Sequence, residues 1–317
     1  MSDTACLLIP FASCGDAGCA AARRGLHLPN LEKLLARLSL TASDDADEHA
    51  LSMPHERVLA REAGIAAADG CIPWAAWHVA QGGGNTRGEA WAWITPCHWE
   101  VAQDHIMLSH PQLLELSAAD SQALLAAMQP YFEQDGLALQ YEAPTLWLAR
   151  GEVFRDFPSA SLDRVTGHVL DRWLPKGPQA RTVRRLQQEM QMLLYTHAIN
   201  DDRIARDLEP VNSFWVSGTG ALPSAAASAT PARTQVTHYL RDAAMRQDWA
   251  AWASAWRQID ERDCAQLLAA LDRAEQVALT LCGERNAHTF SGTGGGFFGK
   301  LRSALRPSRA AQLLDSL

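Results

Sequence analysis

Ala5-Cys6-Leu7-Leu8-Ile9-Pro10-Phe11 runs straight into Ala12-Ser13-Cys14-Gly15-Asp16-Ala17-Gly18. A short apolar run, stopped by proline and followed by a loop of small residues, is the usual opening of an α/β fold. Functional groups in such folds gather at the carboxyl ends of the strands, which makes the 12–18 loop the first place to look for chemistry. The same run is too short, and lacks the basic flank, for a secretory signal.

Outward from that start, Leu31–Leu40 places leucines 31, 34, 35 and 38 on one helical face. Asp44-Asp45-Ala46-Asp47-Glu48 reads as a solvated loop, and Met53–Ala68 as a helix. Gln81–Asn85 is a glycine turn between two strand-like segments, the second being Ala90–Ile94. Ser117-Ala118-Ala119-Asp120 has capping-box spacing for a helix running to about Gln129. Leu137–Tyr141 alternates, and Thr145–Ala149 can pair with it as a hairpin. Arg181–Thr196 is rich in good helix formers. Phe214–Val216 is a brief apolar run before Gly218-Thr219-Gly220, and Ala221–Pro231 is low-complexity. Tyr239–Ile259 carries Trp249, Trp252 and Trp256 at helical spacing, which predicts a core face. Val277–Leu281 is a late strand, Gly292–Gly296 a flexible loop, and Phe297–Leu317 a basic amphipathic helix with Lys300, Arg302, Arg306 and Arg309. That helix docks on its own domain or meets a partner protein or membrane surface.

The 317 residues are enough for about two domains. With 47% hydrophobic and 20% charged residues the composition is globular. A net charge of −8 argues against a nucleic-acid partner, and no apolar run is long enough to span a membrane. The seven cysteines form no Cys-x-x-Cys pair, which predicts reduced thiols in a cytoplasmic protein rather than a disulfide framework. Cys14, Cys19 and His27 lack the paired spacing of a zinc site. Eleven tryptophans are present, five of them between Trp74 and Trp99, and an aromatic core cluster is the reading for these, with a ligand-stacking surface as the alternative.

Three polar clusters are candidates for chemistry. His98, with Asp104 and His105, offers imidazole and carboxylate donors suited to Zn²⁺ or Mn²⁺, although the spacing matches no standard site. His197, Asn200 and Arg203 lie at steps of three after the long helix, where they could converge on an anion or simply cap a helix end. The stretch Pro210–Gly220, with Asn212, ends in Gly-x-Gly after a strand, which permits close backbone approach to a ligand but more often marks a tight turn.

The run His197-x-x-Asn200-x-x-Arg203, then Pro210-x-Asn212, then an apolar strand ending Gly218-x-Gly220, resembles a segment of the archaeal-type cofactor-independent phosphoglycerate mutases of the alkaline phosphatase superfamily. The first strand and Gly15-Asp16 are similar to that family's opening. Trp93–Trp99, Gln188–Tyr195 and Asn212–Trp215 resemble, over nearly the whole chain, the RpfE-type regulatory proteins of proteobacteria. The resemblance implies an alkaline-phosphatase-like α/β core sheet flanked by helices, with a smaller inserted α+β domain. Residues 1–115 and 210–290 would form the core, 116–209 the insert, and 291–317 a glycine-rich loop and basic helix.

The mutases use a serine nucleophile and two divalent metals, which stabilise the attacking and leaving oxygens of a phosphoryl group. The position of their first metal-binding aspartate is Ala12 here, and their late Asp-His pair falls on Glu284-Arg285, where the arginine repels a cation. Ser13 is the weak candidate for the nucleophile, with nothing nearby in sequence to activate it. The implied reading is a degenerate, non-catalytic bacterial pseudoenzyme that needs no cofactor. It would bind a phosphorylated or acidic metabolite near His197, Asn200, Arg203 and Asn212, and possess a protein partner for its C-terminal helix. The alternative is an active mutase or phosphatase using Mn²⁺ or Zn²⁺ on Asp16, His98, Asp104, His105 and Glu284.

Overall fold

The computed structural model describes residues 4–86, 88–103, 105–223, 234–294 and 310–317. Asp104, most of the 221–231 stretch, and Lys300, Arg302, Arg306 and Arg309 of the basic segment lie outside them. The chain forms two compact units, one of residues 1–48, 53–59 and 231–317, the other of 49–52 and 60–230. Each is a mixed α/β assembly. No described helix is long and apolar enough to cross a membrane.

The first unit is built on a sheet of order β2-β11-β10-β1-β9. Strand β1 (Ala5–Ile9) lies between β10 (Gln276–Cys282) and β9 (Thr234–Val236), parallel to both. Burial on both faces is why β1 reads as an unbroken apolar run rather than an alternating one. Leu7 and Ile9 join Val277, Leu279 and Leu281 in the main core, while Leu8 packs on the opposite face with Val58, Cys282 and Ala287. Strand β11 (Ala287–Thr293) folds back antiparallel on β10, and β2 (Ser39–Asp44) adds an exposed edge. The helix expected through Leu40 therefore stops at Arg37. Leu38 turns extended, and residues 39–44 are a strand held by backbone pairing to β11, which side-chain periodicity does not reveal.

The tryptophan stripe is a core face, as its spacing predicts. Helix Trp249–Ile259 buries Trp252 and Trp256 completely, and a positive φ of 55° at Gln247 separates it from the short helix Arg241–Met245. It runs into a π-helical turn, Asp260–Cys264, and then helix Ala265–Asp272. Buried Asp260 accepts from the Leu31 N–H at 2.7 Å and the Asn30 N–H at 3.2 Å. These are orphan donors at the start of helix Pro29–Arg37, whose own N-cap residue, Leu28, makes no capping bond. The terminal segment Ala310–Asp315 is helical and packs Ala310 and Leu314 into this unit's core.

The second unit carries an antiparallel sheet of order β6-β7-β3-β8. The predicted hairpin is β6 (Ala138–Ala143) and β7 (Leu146–Arg150), and β7 pairs with β3 (Ala90–Cys97), which pairs with β8 (Ser213–Ala221). Strands β4 (Trp99–Val101) and β5 (Ile106–Leu108) form a separate ribbon. Helices Ala118–Gln134 and Ala180–Tyr195 contribute to one core, and helix Trp74–Gln81 builds a second with Trp91 and Trp93. The five clustered tryptophans are thus packing residues, with Trp99 in a third cluster. Because β3 is hydrogen-bonded to both the hairpin and β8, residues 60–115 and 210–230 belong with the insert and not with the core to which the sequence assigned them.

Removing the remote cap has a defined cost. Asp260→Ala leaves the Leu31 and Asn30 amides without their acceptor, and the expected loss is about 1–3 kcal/mol, read as a lower denaturation midpoint at unchanged slope.

Candidate functional site

The carboxyl ends of the parallel strands in the first unit are where an α/β fold concentrates function. At the exit of β1, Phe11 takes a left-handed backbone, φ 56°. The loop is fixed there by three bonds: Trp252 Nε1 donates to Phe11 O at 3.0 Å, Trp256 Nε1 to Ala12 O at 3.2 Å, and Ala12 N to Cys282 O at 2.8 Å. Ala12 is fully buried. Asp16 caps helix Ala17–Arg24, its Oδ1 accepting from Gly18 N at 2.7 Å and Cys19 N at 3.4 Å. Ser13 is buried, and its hydroxyl accepts from Arg23 Nη1 at 2.5 Å. The same nitrogen reaches Cys14 O at 2.9 Å, and Arg23 Nη2 pairs with Asp315 at 2.9 Å. Glu284 brings Oε2 to 3.4 Å from where a Cβ on Gly15 would lie, and a Cβ on Gly283 would collide with the Leu317 backbone. The terminal segment therefore sits against the end of β10.

The end of β9 is open. A cavity of about 610 Å³ is lined, among the described residues, by Gln235, Val236, Thr237, His238, Tyr239, Arg262, Asp263 and Gln266. Thr237 N continues the β9–β1 pairing to Leu8 O at 3.1 Å, which sets residues 237–239 beyond the strand's carboxyl end. The π-helical turn aims Arg262 and Asp263 at the same space. Such turns, one residue wider than an α-helical turn, recur at functional sites. Two buried polar atoms here lack protein partners, Thr237 Oγ1 and Asp263 Oδ2. The other Asp263 oxygen accepts from Gln235 Nε2 at 2.6 Å. Arg262 offers a planar set of donors, His238 and the glutamines offer more, and Asp263 offers an acceptor. The set suits a polar ligand with an acidic group and hydroxyls. None of these residues stands out in the sequence, because the π turn that groups them has no local signature.

The cluster read as anion-binding is used differently. Asn200 is buried; its Nδ2 donates to Leu194 O at 2.8 Å and Val211 O at 2.7 Å, and its Oδ1 accepts from Val211 N at 2.9 Å. Arg203 is fully buried, donating from Nε to Glu209 O at 2.9 Å and from Nη2 to Leu114 O, with Asp120 3.7 Å from Nη1. Burial draws its pKa below the ordinary arginine value, against the pull of Asp120. Asn212 accepts from Trp99 N at 2.7 Å and donates to Trp99 O at 3.0 Å. His197 caps helix Ala198–Ala205, Nδ1 accepting from Ile199 N at 3.3 Å. In place of an anion, the structure presents these four side chains with backbone amides and carbonyls.

Of the metal candidates, His98 donates from Nδ1 to Pro210 O at 2.8 Å; His98 and His105 belong to the second unit, Asp16 and Glu284 to the first. No group of three or more His, Cys, Asp or Glu side chains suited to a metal occurs among the described residues.

No protein-family model matches the chain, and no curated protein matches it. Among solved structures the chain is similar to the following two. A cofactor-independent phosphoglycerate mutase from Thermoplasma acidophilum superposes with a TM-score of 0.36 at 12% identity, covering 99% of each chain. The PH0037 protein from Pyrococcus horikoshii superposes with a TM-score of 0.44 at 12% identity, covering 93% of this chain and 89% of the other.

The two arginines separate structure from site. Arg203→Met strips donors from two carbonyls and is expected to cost about 2–4 kcal/mol. Arg262→Met, on an exposed side chain, should stay within about 0.5 kcal/mol of the parent in the same thermal melt.

Proposed function

We propose that this chain is a phosphoglycerate-mutase-like regulatory protein that binds an acidic metabolite rather than turning it over, akin to the RpfE-type regulatory proteins that it resembles at 93–99, 188–195 and 212–215. The observation that carries this reading is the cavity beyond β9, where Arg262, His238 and Thr237 line one space. A phosphate or carboxylate would sit on Arg262, with His238 and Gln266 as further donors.

The β1 exit supports binding over phosphoryl transfer. A serine nucleophile needs a base to take its proton, and Ser13 instead receives a hydrogen bond from a guanidinium, which has no lone pair to offer. The backbone leading into it is held by buried indoles at the Phe11 and Ala12 carbonyls. The docked segment 310–317 favours association of that end with its own unit over a protein partner.

Titration calorimetry with 3-phosphoglycerate, with glycerol as the uncharged control, tests the reading. Saturable binding of the acid alone is expected, weakened at least about tenfold in Arg262→Met, a change of about 1.4 kcal/mol. A turnover assay with Mn²⁺ or Zn²⁺ should show no mutase activity. Metal-dependent turnover abolished by Ser13→Ala would overturn the proposal, as would binding that Arg262→Met leaves unchanged.

A further inference from the structure

Residues 310–317 are seated at the exits of β1 and β10 by three separate contacts. The first is apolar: helix Ala310–Asp315 buries Ala310 and Leu314, and Leu313 and Leu317 pack partly buried against the same core. The second is a cradle at Gly283, just past the end of β10. A Cβ there would come within 2.2 Å of Leu317 O, and its three nearest atoms would all belong to Leu317. Gly283 is not left-handed, so the fold uses the room this glycine leaves and not its conformational freedom. The third contact is incomplete. Arg23 Nη1 is committed to Ser13 Oγ and Cys14 O. Nε and Nη2 form a second edge of the guanidinium, which a carboxylate or phosphate can span with two parallel bonds. Asp315 Oδ1 takes only Nη2, at 2.9 Å, and Nε is buried without a partner. The Asp315 side chain is 66% exposed, and an ion pair so open to water holds weakly. Glu284 stands at the same exit beside Gly15, and its charge opposes any anion on Arg23, Asp315 included. A helix of six residues gains little from its own hydrogen bonds. Two buried side chains, one glycine and one edge-on carboxylate therefore hold the segment down.

We propose that residues 310–317 are a latch over the β1 and β10 exits, in which Asp315 stands in for an oxyanion on Arg23. A phosphate group that spans Nε and Nη2 satisfies both donors, where Asp315 satisfies one, and so displaces the carboxylate. Closed and open forms exchange by local unfolding of the segment. The anion shifts the balance toward the open form, because only there is that edge of Arg23 free to take it. This latch is separate from the cavity beyond β9 and does not rest on ligand binding there.

Hydrogen exchange of the full-length protein, read by mass spectrometry on peptides covering residues 310–317, tests the latch. Inorganic phosphate is the probe, with chloride at equal ionic strength as the control. Exchange of these amides is expected to rise at least about fivefold with phosphate and to hold its starting rate with chloride. Peptides of helix Trp249–Ile259 are the internal reference and should not change. Asp315→Asn, at a largely exposed side chain, should raise exchange at 310–317 without phosphate, and Gly283→Ala should do the same by crowding Leu317. Arg23→Gln should make the rate independent of phosphate. Arg262→Met should leave the phosphate effect intact, which separates it from binding beyond β9. Exchange in the parent that phosphate leaves unchanged would overturn the proposal. So would a phosphate effect that survives Arg23→Gln, or equal rates at 310–317 in the parent, Asp315→Asn and Gly283→Ala.

Discussion

Two indole N–H groups and two carbonyl oxygens hold the first unit in place. Trp252 and Trp256 are completely buried, so each indole needs an acceptor, and the end of β1 supplies the Phe11 and Ala12 oxygens. A left-handed Phe11 costs about 1 kcal/mol or more, and the two bonds together with the buried ring area offset it. The consequences spread in both directions. The β1 exit is fixed, which commits Ser13 to Arg23 and Asp16 to its helix. Helix Trp249–Ile259 is fixed too, and with it the π turn that follows. That turn sends Asp260 inward to cap helix Pro29–Arg37 and leaves Arg262 and Asp263 at the cavity.

The same accounting explains the second unit. Chain segments that leave helix Ala180–Tyr195 and approach β8 bury carbonyls and amides that no strand pairs. Asn200, Arg203 and Asn212 take up those groups one by one. A buried carbonyl left without a donor costs about as much as a lost hydrogen bond, so polar side chains at such a junction need no ligand to account for them. The motif that carries the family resemblance is therefore, in this chain, a set of backbone clamps.

Function and fold consequently draw on different residues. What remains open to a ligand lies beyond β9, on side chains brought together from the strand end and the π turn. That cavity lies beyond the carboxyl end of a parallel strand, where the sheet stops supplying hydrogen-bond partners and side chains must.

Much of the architecture was legible in the chain itself. The run Ala5–Phe11 reads as a short buried strand because it is apolar throughout, and the Trp249–Trp256 stripe reads as a core face because its period is helical. Ser117 announces its helix through one hydroxyl, which accepts from Asp120 N at 3.0 Å. Local chemistry determines these elements, and no distant contact is needed to see them. Strand β2 was not legible, because an exposed edge is held by its neighbour's backbone and not by its own side chains. Nor were the unit boundaries, since β3 joins β8 across more than a hundred residues of chain. The sequence by itself also supplied the polar residues His197, Asn200, Arg203 and Asn212, but their spacing suits an anion and a backbone equally well. Only the tertiary structure decided between them, because burial determines which partner a polar atom can reach. It alone brought Thr237 to Arg262, two residues that share no local pattern and meet through a sheet edge and a single widened helical turn.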